Sequence, residues 1–355
     1  MAFTPVLVDG FDNYTVGDQR WTVGQTFTCH PDFSRHAWGQ GASFIGAFPN
    51  VPNTGMEIPP LTTTIVEGAF KLIGKNANIL DSFHWSKMDV ETYRHVAMTL
   101  TDTRHVFFRR GDNQAILAGP TVGPDKVIEV GLWYWLQFTV KIHASLGEIH
   151  FGVNGNTWLS ATGLNTLHPS ASSAVTDRFG VAQFATDAWI ADDVVIQNGA
   201  TGEYQGDMIV LVKRPAAAGS SADLTPVGAA TAHEATDEIA ADDDTTYVAS
   251  STVGERDSME IAKITEVPGS SIVLAVQQSF RHRKDEPGPR SVTGFVRVAS
   301  DEVHGEERFP SETAYLTSIE APMILQPDGV SAWGTVDEFN ALDVEIGHEV
   351  QDGVE

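Results

Sequence analysis

The sequence predicts an all-β protein: an N-terminal β-sandwich of the jelly-roll, lectin-like kind, then a second, smaller β-rich domain with one short helix near its C-terminal end. Three observations predict it. About a dozen short runs alternate apolar and polar residues with the period of a strand, separated by turn residues at even spacing. No segment before Gln197 carries the 3.6-residue apolar period of a capped helix. Charge divides the chain in two: residues 1–200 hold 18 acids against 12 bases, and residues 201–355 hold 29 against 10, nets of −6 and −19 within a total of −25. At 355 residues there is enough chain for two cores.

In order, Val6–Asp9 reads as a first strand, and Gly41–Phe48 (GASFIGAF) as a small-residue segment where backbones approach closely. The proline-rich stretch from Pro49 to Pro60 reads as a loop. Strands are expected at Thr62–Ile73, Asn78–Trp85, Arg94–Thr101, His105–Arg110, Gln114–Ala118 and Val127–Val130. The strongest pattern follows. From Trp133 to Ile142 the chain puts Trp133, Trp135, Gln137, Thr139 and Lys141 on one side, and Tyr134, Leu136, Phe138, Val140 and Ile142 on the other. Glu148–Val153 alternates again, and Asn154-Gly155 supplies residues that tolerate positive φ, so a three-stranded antiparallel meander is expected. Phe179–Phe184 and Ala188–Gln197 (AWIADDVVIQ) close the first domain at about residue 200.

Asn198–Asp207 (NGATGEYQGD) is turn-rich and marks a boundary. Residues 201–250 are expected to be an acidic linker or an extended arm with one strand, Met208–Lys213; residues 251–355 form the second domain. There, Ser271–Arg281 and Ser291–Ala299 read as a long hairpin across the basic loop RHRKDEPGPR. Glu307–Ser311 and Thr313–Glu320 extend the sheet. Thr335, with Glu338 three residues on, has capping-box spacing for a short helix from Val336 to Leu342. Asp343–Val350 is the last strand.

Composition narrows function. A pI near 4.7 disfavours nucleic acid, because an acidic surface repels phosphate. Apolar runs fall short of the ~20 residues that span a bilayer, so membrane insertion is not expected. The opening MAFTPVLVDGFD lacks a basic, then apolar, leader, which predicts a protein that stays in the cytosol that makes it or leaves by cell lysis. A single cysteine, Cys29, excludes an intrachain disulfide.

Val8-Asp9-Gly10-Phe11-Asp12, Trp21, Trp135–Ile142 with Gly147-Glu148, Val153-Asn154-Gly155 and Trp189–Val194 together resemble the concanavalin A-like lectin/glucanase superfamily, in particular its laminin-G-like jelly roll. The two-part layout resembles virion proteins of tailed bacteriophages. It adds Gly206-Asp207, Asp242–Tyr247, Arg256-Asp257, the region Ile272–Val298, and Ala332-Trp333 before the short helix. The resemblance implies a non-enzymatic structural protein of the virion, assembled in the host cytoplasm, at the tail tip or tail fibre, with capsid decoration as the alternative. Its partners would be copies of itself in a homo-oligomer, other virion proteins and a host surface glycan. A polysaccharide-degrading enzyme is the second alternative.

Candidate site residues follow. Glycoside hydrolysis needs two carboxylates at a fixed separation. Asp89-Val90-Glu91 is the nearest match to the superfamily's acid triplet, lacks the third acid, and reads as a solvated turn. The pairs Asp301-Glu302 and Glu306-Glu307 read as loop charges, and Asp242-Asp243-Asp244 as a solvated run. No Gly-x-Ser-x-Gly or His-Glu-x-x-His is present, so no catalytic residue is expected. Asp192-Asp193 sits on an alternating strand where one carboxylate must point inward or pair. A Ca2+ site is the sharp reading, a local hydrogen bond the plain one. Trp133, Trp135 and Trp158, with Trp38 and Trp85, would make a sugar-stacking platform; as core or interface residues they would instead bury against another layer.

Overall fold

The computed structural model describes residues 4–9, 21–22, 28–30, 35–36, 41–44, 55–74, 81–87, 93–111, 115–181, 188–238, 242–285, 288–311 and 314–353. The chain divides into two units, Met1–Leu211 and Val212–Glu355. Strands dominate both, and among the described residues no helix is long and apolar enough to cross a membrane.

The first unit begins with β1 (Pro5–Asp9), β2 (Trp21–Thr22), β3 (Thr28–His30), β4 (Gly41–Phe44) and β5 (Gly55–Leu61). Next come β6 (Thr63–Gly74), β7 (Asp81–Lys87), β8 (Tyr93–Leu100), β9 (Val106–Arg110) and β10 (Ile116–Ala118). The last five are β11 (Trp133–Lys141), β12 (Gly147–Val153), β13 (Asn156–Leu164), β14 (Thr176–Val181) and β15 (Ala188–Asn198). They make an eight-stranded sheet, β13-β12-β11-β6-β15-β4-β3 with β1 added along β15, and a seven-stranded sheet, β10-β9-β8-β7-β14-β5-β2.

The period-2 pattern decides what lies between the sheets. Leu136, Phe138 and Val140 of β11 point inward with Val66, Phe70 and Leu72 of β6, and meet Phe83, Trp85 and Phe108 from the opposite sheet. Ring contacts bridge the layers: Phe138 lies 5.3 Å from Phe83 and 5.5 Å from Trp85, and Phe108 lies 6.0 Å from Phe151. Each fully buried aromatic contributes on the order of 2–3 kcal/mol of apolar transfer. The expected meander is present: β11 pairs with β12 and β12 with β13, and Asn154 (φ 49°) and Gly155 (φ 77°) form the tight turn.

Two local expectations fail. Gly55–Leu61, within the expected proline-rich loop, is β5, because it lies at the edge region beside β14 and β2, where a missing N–H is tolerated. Val127–Val130 is irregular; Ile128 alone buries fully, and its amide bonds to Arg104 O.

The second unit contains β16 (Pro215–Ala222), β17 (Thr225–Val227), β18 (Tyr247–Ala249), β19 (Arg256–Ile261), β20 (Ser279–His282), β21 (Arg290–Val298), β22 (Asp301–Arg308), β23 (Leu316–Ile319), α1 (Val336–Ala341) and β24 (Val344–Asp352). Its main sheet has the order β16-β19-β24-β21-β22, with the pairs β17-β18 and β20-β23 beside it. Residues 201–250 are therefore not one arm. Their first part belongs to the first unit, and β16, β17 and β18 belong to the second, the alanine-rich β16 hydrogen-bonding along β19.

The hairpin across residues 281–290 does not form. β20 pairs with β23, and β21 pairs with β22 and β24. Upstream of β20 the apolar run spends its backbone groups on isolated bridges, Ile272 to Thr335 and Val276 to Met323, and leaves Ile272 62% exposed. Met208–Lys213 is likewise not a strand. The acid pairs 301–302 and 306–307 lie on β22, not in a loop. Glu302 takes Arg256 at 2.6 Å and Arg297 at 2.7 Å. The Asp242–Asp244 run is ion-paired too: Arg281 grips Asp243 through Nε and Nη2, and Arg283 reaches Asp244 at 2.8 Å. The helix forms with its capping box, Thr335 accepting from the Glu338 amide and Glu338 returning to the Thr335 amide.

Candidate functional site

The outer face of the eight-stranded sheet carries the site. Its side chains are those that alternate away from the core, and their rows are fixed by register. Glu67 of β6 stands opposite Gln137 of β11, Gln137 opposite Gly152 of β12, and Gly152 opposite Thr157 of β13. One step along, Thr139 stands opposite His150. Residues 203–210, which leave β15 and carry no regular structure, lie back across these rows as a strap.

Glu67 fastens the strap. Its side chain is fully buried, and its two oxygens accept from Gln137 Nε2 (3.1 Å), Gln197 Nε2 (3.0 Å) and the backbone amides of Gln205 and Gly206. Burial raises its pKa, and the hydrogen bonds from Gln137, Gln205 and Gly206 oppose the rise. The Trp135 indole N–H pulls the same way without closing a hydrogen bond of normal geometry. Tyr204 then lies over the next row. Its hydroxyl accepts from Thr139 Oγ1 at 2.8 Å, and its ring lies 5.7 Å from that of His150. Burial raises the tyrosine's pKa and lowers the histidine's, so both are neutral at pH 7.

Between strap and sheet lies a groove of about 280 Å3, open to solvent on one side. Gln137 and Gly152 form its floor, Tyr204, Gln205 and Gly206 one wall, and Asn156 and Thr157 the opposite rim, with His150 beside them. A Cβ at Gly152 would stand 3.1 Å from Gln137 Oε1, so a larger residue there would push on the Gln137 side chain and narrow the floor. Gly206 has φ 94°, which favours glycine, and turns the strap so that two successive amides face Glu67.

Asp192 and Asp193 fasten the same strap further along. The pairing of β15 with β6 slips between Asp192 and Val195, and Asp193 has φ 53°, so a β-bulge sits here. Inward residues are Trp189 and Ala191 before it, Val194 and Ile196 after it. The bulge changes the parity, and neither carboxylate enters the core. Asp192 accepts from the Arg35 amide (2.8 Å) and the Asp193 amide (2.9 Å). Asp193 Oδ1 accepts from the Val210 amide (2.7 Å), and its Oδ2 meets His36 Nε2 (3.0 Å) and Arg35 Nη2 (3.1 Å). Arg35 continues to Asp207 (2.5 Å) and Met208 O (2.8 Å).

Could these groups hold a metal? His36, Asp192 and Asp193 bring ligand atoms within 4.8 Å of one another. Calcium asks for six to eight oxygens, whereas here every carboxylate oxygen is already engaged and one of the three donors is a ring nitrogen. A guanidinium supplies the positive charge that the two aspartates require. The donor set fits the plain reading of Asp192-Asp193, a clamp of local hydrogen bonds and ion pairs, over the sharper one of a Ca2+ site.

The three expected tryptophans do not share a platform. Trp133 and Trp135 are on the outer face, as their alternation requires. Trp135 is only 3% exposed, covered by the Arg35 guanidinium 5.4 Å from its ring, and Lys71 Nζ lies 5.3 Å from the ring of Trp133. Trp158 is on the other side. The β12–β13 register slips at Phe151/Gly152, and its ring packs edge-on to Phe151 at 6.0 Å against the core. Trp85 is fully buried between the sheets. Trp38, Asp89 and Glu91 lie outside the described residues. Sequence reasoning missed Glu67, His150, Tyr204, Gln205, Gly206 and Arg35. A lone aromatic inside the polar stretch NGATGEYQGD was the one signal for the strap.

No protein-family model matches this sequence, and no curated protein matches it either. Among solved structures, a Trypanosoma rangeli sialidase in complex with 2,3-difluoro-KDN is 13% identical with a TM-score of 0.31, over 44% of this chain and 25% of that one. Domain 4 of AbnA, a GH43 extracellular arabinanase from Geobacillus stearothermophilus, in complex with arabinotriose, is 12% identical with a TM-score of 0.34, over 56% of this chain and 94% of that one. The binding domain of Paraclostridial Mosquitocidal Protein 1 is 11% identical with a TM-score of 0.30, over 48% and 42%. The chain thus spans about a quarter of the sialidase's length. Similarity at this level carries no argument about chemistry; the sandwich rests on the strand order and core described above.

Proposed function

We propose that this chain is a non-enzymatic binding and assembly protein whose first unit holds a glycan in the groove beneath the Tyr204–Gly206 strap. The observation that carries the reading is the groove's lining: an aromatic ring, amides, hydroxyls and glycine backbone on a rigid sheet, the mixture that recognises sugar rings. Glu67, the carboxylate hydrogen-bonded to the groove's floor and wall, spends both oxygens on positioning the strap, which supports binding over bond cleavage. A glycan array probed with the full chain tests the site. Saturable binding to at least one surface polysaccharide is expected, with no reducing ends released on prolonged incubation; depolymerisation of any bound glycan would overturn the non-enzymatic reading.

For the setting, the two-part layout and its resemblance to tailed-phage virion proteins support a tail tip or tail fibre, with copies of this chain and other virion proteins as partners. Immunogold labelling of purified particles should mark the tail. Label confined to the capsid would move the protein to the head, and unlabelled particles would remove it from the virion.

A further inference from the structure

We propose that the groove selects neutral glycans and excludes acidic ones, because it meets its ligand with hydrogen-bond acceptors and offers no cation. The proposal rests on the glycan-binding reading above and names the ligand class. On the floor, Gln137 gives its amide N–H to Glu67, which turns Oε1 to the Gly152 side of the groove as an acceptor. Asn156 gives one of its two side-chain N–H groups to Asn154 O, and its carbonyl oxygen remains an acceptor at the rim. His150 Nε2 lies 3.3 Å from Thr157 Oγ1, and the neutral ring keeps one nitrogen as an acceptor. Tyr204 accepts from Thr139 and keeps one proton to donate.

A sugar hydroxyl both donates and accepts, so it satisfies such a lining. A carboxylate or sulfate only accepts, and faces acceptors with the Glu67 charge behind them. Among the described residues, the cations of this face are committed elsewhere. Lys141 pairs with Glu148 at 2.8 Å, Lys71 lies over Trp133, and Arg35 is held by Asp193 and Asp207. The net charge of −25 adds long-range repulsion of polyanions at low salt.

The test compares the full chain on immobilised dextran, mannan and galactan with alginate, hyaluronan and polysialic acid. Thr157→Trp, an exposed rim position, fills the groove; Asn156→Trp is a second blocking variant should the first fail to fold. Binding to one or more neutral polysaccharides at least roughly tenfold tighter than to every acidic one is expected, with a loss of roughly tenfold or more in the blocking variant. Acidic glycans bound tightest, and lost on blocking, would overturn the selectivity while leaving the groove as the site. Neutral binding untouched by either variant would overturn the site, and binding to none of the six overturns both.

Discussion

Glu67 shows how one buried charge organises a surface. Four donors converge on its two oxygens, two from the strap backbone and two from neighbouring strands. In Glu67→Gln the amide nitrogen must face one of those donors, so one hydrogen bond becomes a clash of N–H groups. An unsatisfied buried group costs about 1–3 kcal/mol, and a loss of that size is expected in urea unfolding of the full chain, with weaker glycan binding. A second set of buried groups sets the acid response of the other unit. Burial lowers the pKa of His282 and of His348 from 6.5 to about 4, and raises that of Asp257 from 3.8 to about 6. As pH falls from 6.5 toward 4, the unfolded chain takes up two histidine protons that the folded unit refuses. Asp257 works the other way: between pH 6 and 3.8 the folded unit binds a proton that the unfolded chain does not. For these three groups the net difference between pH 6 and 4 is one proton, so their contribution to stability should fall by on the order of 1.4 kcal/mol per pH unit across that window. His348→Leu removes one histidine from the balance and should flatten the slope, measured as unfolding midpoints between pH 7 and 4.5.

At the scale of elements, the turn joining β12 and β13 shapes the groove rim. Gly155 has φ 77° and nothing within 4 Å of an added Cβ, so Gly155→Ala should cost only the backbone term, about 1 kcal/mol, read by thermal unfolding. Thr335→Ala, which removes the helix cap, should cost about 1 kcal/mol in the second unit. These elements were legible in the sequence because their signals are local: Asn-Gly between alternating runs, and threonine with glutamate three residues on. The division of β11 into two faces was legible for the same reason, though not which face lies in the core. What the sequence hid was non-local. Trp133 and Trp135 read either as a sugar platform or as residues buried against another layer; the cover that decides for Trp135 comes from Arg35, 100 positions away. Trp158 changes sides through a register slip, and Asp193 through a bulge; neither leaves a mark in an apolar–polar pattern. The Ile272–Gln278 run has strand composition but pairs only at isolated points, whereas alanine-rich β16 has weak strand propensity and still pairs, because β19 lies beside it.

For the whole molecule, the division at residues 211 and 212 places β16, β17 and β18 with the C-terminal unit. A fragment spanning 212–355 should therefore give a cooperative unfolding transition, and one spanning 251–355 should not. The shorter piece loses the β16 pairing to β19 and the aspartates that neutralise Arg281 and Arg283. Circular dichroism and urea titration of the two fragments decide this, and equal cooperativity in both would return residues 212–250 to the status of linker.

The strap that walls the groove is also the last covalent stretch before the second unit. It is held by side-chain carboxylates at Glu67 and Asp193, not by a ladder of paired strands. Tension applied through the chain beyond Val212 would consequently load those few fastenings before any sheet, and the first thing to give would be the wall of the groove. For the glycan-binding role proposed above, hold and mechanical pull would then be wired in series, and hauling on the tether would loosen the hold.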